Sequence, residues 1–136
     1  MGTIVVGFVT TAEGSAALDR AIEETRLRQA ELVVVISHKG GVGTDDDHMA
    51  ETDEDLARIR ATLESAGVDH TVRSLVRGND PAEDILAIAE ETSAELVVIG
   101  LRRRSPVGKL IMGSNAQRIL LDAPCAVLAV KAAAED

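Results

Sequence analysis

Runs of aliphatic residues alternate with stretches in which apolar positions recur every three or four residues, almost from one end of the chain to the other. Ile4 to Val9 and Leu32 to Ile36 are unbroken aliphatic runs bounded by turn residues, the pattern of strands buried on both faces. Val68 to Val76 is mixed in polarity and reads as an edge strand. Leu96 to Ile99 is a further buried strand, and Ala126 to Val130 the last.

Helical spacing fills the intervals. Leu18, Ala21 and Ile22 share one face of a first helix; Leu56, Ile59, Leu63 and Ala66 share one face of a second, with Gly67 placed where a helix ends. Thr52 with Asp55 predicts the start of that second helix. In "NDPAEDILAIAEE", Asp80 suits the cap, Pro81 the first helical position and Glu83 the capping box. Ser114 and Gln117 repeat this arithmetic ahead of a fourth helix. The aperiodic polar stretch from His38 to Glu51 reads as a mobile loop. Strand and helix alternating in this way predict a single α/β domain over residues 1–136, a parallel sheet wound on both faces. Ligands of such sheets sit at the carboxyl ends of the strands, where the strand order reverses.

Composition narrows the picture. Hydrophobic residues make up 46% of the 136, yet Trp and Tyr are absent and Phe8 is the one aromatic, so the core has to be aliphatic. Fourteen basic against 23 acidic residues leave a formal charge of −9, which disfavours nucleic acids and anionic membranes as partners. With a single cysteine, Cys125, no disulfide forms within the chain, as expected in a reducing cytoplasm. No leader-like or membrane-length apolar run is evident, and a cytoplasmic location is expected.

Familiar catalytic motifs do not fit. Seven residues separate Gly100 from Gly108 and Leu110 follows Lys109, which excludes a P-loop. "GGVGTDD" lacks the dinucleotide spacing, and His38, His48 and His70 lie apart from any ligand partner. No nucleophile–base set is legible, so no enzymatic activity is expected. Cys125 reads as a small core residue.

One stretch stands out. After the fourth strand come Gly100, the cations Arg102, Arg103, Arg104 and Lys109, and then Gly113-Ser114-Asn115 at the start of a helix. Gly100 allows the chain to leave the strand at dihedrals other residues resist, and lets backbone approach a ligand. The first amides of the helix lack intrahelical partners and carry the positive end of its dipole, which suits an anion. Two readings follow: a phosphate cradle, or an ordinary helix cap beside a solvated basic loop.

With these residues in view, the chain resembles the universal stress protein family over its whole length, through "AELVVVISH", "GNDPAEDILAIAEETSAELVVIG" and the closing "GSNAQRILLDAPCAVLAVK". The resemblance implies an open five-stranded parallel sheet of the adenine nucleotide alpha hydrolase-like type, with strand order 3-2-1-4-5. It also implies a homodimer through the last strand, Ala126–Lys131, which would otherwise leave an apolar edge unpaired. Many members bind ATP through Gly-x2-Gly-x9-Gly-Ser/Thr. Here Gly100 and Gly113-Ser114 keep that spacing, while Arg103 replaces the middle glycine. Val9 stands where ATP-binding members carry an aspartate, beside Thr10, and Gly78 aligns with a glycine near the adenosine. The resemblance thus implies a stress-response module holding ATP, with or without Mg, or a related nucleotide through Val9, Thr10, Gly78, Gly100, Arg102, Arg103, Gly113, Ser114 and Asn115. The alternative is a nucleotide-free dimeric interaction protein of the same family, its site altered by Arg103 and Val9. No protein metal site is implied.

Overall fold

A computed structural model describes residues 2–8, 12–39, 46–77, 81–101 and 114–132. The elements run β1 (Thr3–Phe8), α1 (Ala12–Arg28), β2 (Glu31–Lys39), α2 (Asp46–Ala66), β3 (His70–Arg77), α3 (Pro81–Glu91), β4 (Leu96–Leu101), α4 (Ser114–Asp122) and β5 (Ala126–Lys131). The strands form one sheet in the order β3-β2-β1-β4-β5, every pair parallel. The predicted architecture and strand order are both present.

Alternation of side chains divides the core in two. Ile4, Val6 and Phe8 of β1, Val34 of β2 and Val98 of β4 pack with Leu18 and Ile22 of α1 and Ile59 and Leu63 of α2. Val5, Val33, Val35, Val97 and Ile99 face the other way, onto Ile85 and Ile88 of α3 and Ile119 of α4. Strands covered on both faces need apolar residues at every position, which is why they read as continuous runs. Each buried Val, Leu or Ile contributes about 1.5–3 kcal/mol relative to exposure, and such residues make the whole aliphatic core.

Several boundaries differ from the sequence reading. β2 continues past Ile36 to Lys39, because Ser37, His38 and Lys39 pair in register with Leu75, Val76 and Arg77. α2 begins at Asp46, so Thr52 and Asp55 lie inside it and the expected loop from His38 to Glu51 shrinks at both ends. β3 starts at His70 rather than Val68.

The helix ends are secured as their residues require. Gly67 stands at φ 71°, its amide donating to the Leu63 and Glu64 carbonyls at 3.1 Å each. From α1, Arg26 donates through Nη2 at 2.7 Å and Nε at 3.3 Å to the Ala66 carbonyl, joining α1 to the C-terminal end of α2. A cation at that end also meets the negative pole of the helix.

Candidate functional site

Parallel strands followed by helices bring the helix starts to one margin of the sheet. There the order reverses between β1 and β4: β1 is followed by α1 on one face, and β4 by α4 on the other. The crevice between these two strand ends is the place where the fold exposes backbone ends to a ligand.

Ser114 and Asn115 occupy the first turn of α4, exposed, on the face shared with α3. Arg118 Nη1 donates to Glu83 Oε1 at 3.1 Å, and Ile119 is buried below, so α4 is fixed against α3. The first turn of α4 holds no acidic residue, whereas α1 has Glu13 there and α3 has Glu83 and Asp84. A carboxylate in that turn would compete with an anion for the first amides of the helix, and α4 has none there.

Gly100 corrects the sequence reading. It lies inside β4, paired with Val130 and followed in register by Leu101 opposite Lys131. Its backbone is outside the left-handed region; among the described glycines only Gly67 has a positive φ. The glycine is needed for space instead. A methyl carbon on Gly100 would lie 2.7 Å from the carbonyl carbon of Glu13 and 3.1 Å from the Glu13 Cβ, and closer still to the carbonyl oxygen. The first turn of α1 therefore rests on the strand at Gly100. Gly7 of β1 plays a similar part on the opposite face, where a methyl carbon would come 2.5 Å from Ile85 Cδ1. Sequence reasoning did not find Glu13 or Gly7. The available signal was glycine within an otherwise buried strand, a mark of close approach by another element.

A cleft of about 210 Å³ lies between α1 and α2, floored by Phe8, Leu18 and Ile59 and rimmed by Ser15, Asp19, Arg58 and Thr62. One acid and one base at its rim give it no net preference for an anion, and it lies on the face away from α4. Val9, Thr10, Gly78, Arg102, Arg103 and Gly113 fall outside the described residues, as does Asp80. Among the described residues, no group of three or more His, Cys, Asp or Glu side chains is arranged to hold a metal, and no helix is long and apolar enough to cross a membrane. Cys125 is half-buried against the α3–α4 core, and that burial pushes its thiol pKa up, away from nucleophilic chemistry at neutral pH.

Comparison with known proteins is consistent across sequence and structure. The model of the universal stress protein family matches residues 1–131. A universal stress protein of Mycolicibacterium smegmatis is 41% identical over 128 residues, covering 94% of this chain and 96% of the relative. The structure of a universal stress protein from Archaeoglobus fulgidus superposes with a TM-score of 0.81 at 37% identity, covering 96% of this chain and 99% of that one. A structure of the universal stress protein from the same organism in complex with dAMP superposes with a TM-score of 0.76 at 32% identity, covering 96% and 98%.

Proposed function

Because this chain belongs to the universal stress protein family, we propose that it is an adenine-nucleotide-binding module of the stress response, with its site at the ends of β1 and β4. The observation that carries this reading is the relative in complex with dAMP, similar over 96% of this chain. Its ligand couples an adenine base to a single phosphate, and the carboxylate-free first turn of α4 suits such a phosphate. Gly113, Ser114 and Asn115 take the phosphate end, with Arg102 and Arg103 supplying positive charge; Val9, Thr10 and Gly78 border the adenosine. Gly100 belongs to the site as part of its wall. The same site accommodates ATP, with or without Mg, as the cellular ligand. The role is binding rather than catalysis, in the cytoplasm.

The module works as a homodimer through β5. Among the described strands β5 pairs with β4 alone, and Val127, Leu128, Ala129 and Val130 are half-buried rather than covered. An aliphatic strand with a free edge favours pairing with another chain.

Calorimetry with AMP, dAMP and Mg-ATP tests the ligand. Saturable heat is expected with at least one of them, and its absence at millimolar concentration with folded protein would end the reading. Sedimentation equilibrium tests the assembly: the mass of two chains is expected, and a single-chain mass at all concentrations would remove the dimer.

A further inference from the structure

We propose that Gly100 is a positioning residue: its bare α-carbon seats the first turn of α1, and through this seat it helps set the width of the nucleotide site. The inference rests on the functional reading above and gives the glycine a packing task within it.

Sidedness carries the argument. Val98 packs into the α1–α2 core, and two residues further along the same strand Gly100 presents its missing side chain to the same face. The backbone of Glu13 occupies that face. α4 packs on the other side of β4, with Ile119 buried and Ala116 against it in the α3–α4 core.

The contact also explains why no larger residue fits. The clash is with main-chain atoms of a helical turn, so no change of side-chain rotamer relieves it, and α1 itself has to shift. Since α1 leads directly from the end of β1, displacing its first turn changes the distance across the β1–β4 crevice.

The test is Gly100→Ala in the full chain, read by amide chemical shifts of Glu13, Gly14 and Ser15 without nucleotide and by the dissociation constant for AMP. The expected result is displaced shifts in the nucleotide-free protein together with affinity weaker by about tenfold or more. Unchanged nucleotide-free shifts with lost affinity would show that the glycine serves the ligand directly. Displaced shifts with unchanged affinity would show that the seated turn does not shape the site; either outcome overturns the proposal. Should Gly100→Ala fail to fold, Glu13→Gly loosens the same turn without inserting an atom and is read by the dissociation constant for AMP alone: affinity weaker by about tenfold is expected, and unchanged affinity overturns the proposal. A parent chain with no affinity for AMP, dAMP or Mg-ATP defeats the functional reading and the affinity claim with it, while the nucleotide-free shifts still decide whether Gly100 seats α1.

Discussion

Gln29 and Ser93 hold the same backbone conformation, φ 53° and 52°, one and two residues beyond helices that return the chain to the sheet. Around Gln29, the Ala30 amide donates to the Thr25 carbonyl at 3.0 Å; around Ser93, the Ala94 amide donates to the Ala89 carbonyl at 2.9 Å. Ala30 and Ala94 are both buried, completing the apolar contact that accompanies this kind of helix ending. Gly67 fills the corresponding place after α2. The left-handed conformation is easy for glycine and costs other L-residues about 1–2 kcal/mol.

Gln29→Gly and Ser93→Gly are therefore expected to stabilise the protein by about 0.5–1 kcal/mol each, after part of the gain is offset by the freer unfolded chain. The two sites belong to different helices, and additive effects are expected. Urea unfolding of both single variants and the double variant measures this, and a lowered midpoint in either single variant would refute the strain argument.

Leu63 has no exposed surface and joins α2 to the face of the sheet also covered by α1. Its replacement by alanine leaves a cavity that close-packed aliphatic neighbours fill only in part, with an expected loss of about 2–5 kcal/mol. A loss under about 1 kcal/mol in urea unfolding would mean that α2 is not docked on the core as described.

Glu24 is buried on α1 between two arginines: Arg20 Nη2 and Arg28 Nε each stand 3.1 Å from one of its oxygens, and Arg28 Nη1 reaches Glu95 Oε2 at 3.1 Å. Hydrogen bonds to Glu24 and Glu95 hold the Arg28 proton more tightly than usual. Both arginines are half exposed, so the chain of charges contributes modestly. Glu24→Gln is expected to cost about 1 kcal/mol in dilute buffer and less in 1 M salt, where screening is strong. A cost that salt does not reduce would assign the effect to packing.

Burial raises the thiol pKa of Cys125 in the folded chain. Deprotonation then comes more easily to the unfolded chain, so this group's contribution to stability is complete below the ordinary thiol pKa and declines as pH rises through the folded value. Iodoacetamide at pH 8 is expected to react more slowly with the native protein than with the same protein in 8 M urea, the gap closing as pH is raised. Equal rates would contradict the burial.

The two-faced core was legible in the sequence because unbroken aliphatic runs such as Ile4 to Val9 leave little choice but burial on both sides, whereas the strand order came from the family resemblance. The start of α2 was not. From Asp46 to Glu54 the sequence is almost wholly polar and offers no apolar stripe, so the helix there is invisible to periodicity. The extension of β2 to Lys39 depends on pairing with β3, a non-local property that the polar residues Ser37 to Lys39 conceal. At the candidate site, the carboxylate-free start of α4 was readable from "GSNAQ". The partner of Gly100 was not, because Glu13 is 87 residues away in the sequence and meets it only once α1 has folded onto β4.

The two margins of the sheet are chemically unlike. β3 carries His70, Arg73 and Ser74 along its length, with Arg73 bound to Glu91 at 2.6 Å, while β5 is aliphatic until Lys131. Unlimited growth of a sheet from molecule to molecule needs a receptive border on both sides, and here charge makes one border unwelcoming. On the proposed pairing through β5, two chains join edge to matching edge and present no second aliphatic border; the polarity of a single peripheral strand would then separate a finite assembly from a fibre.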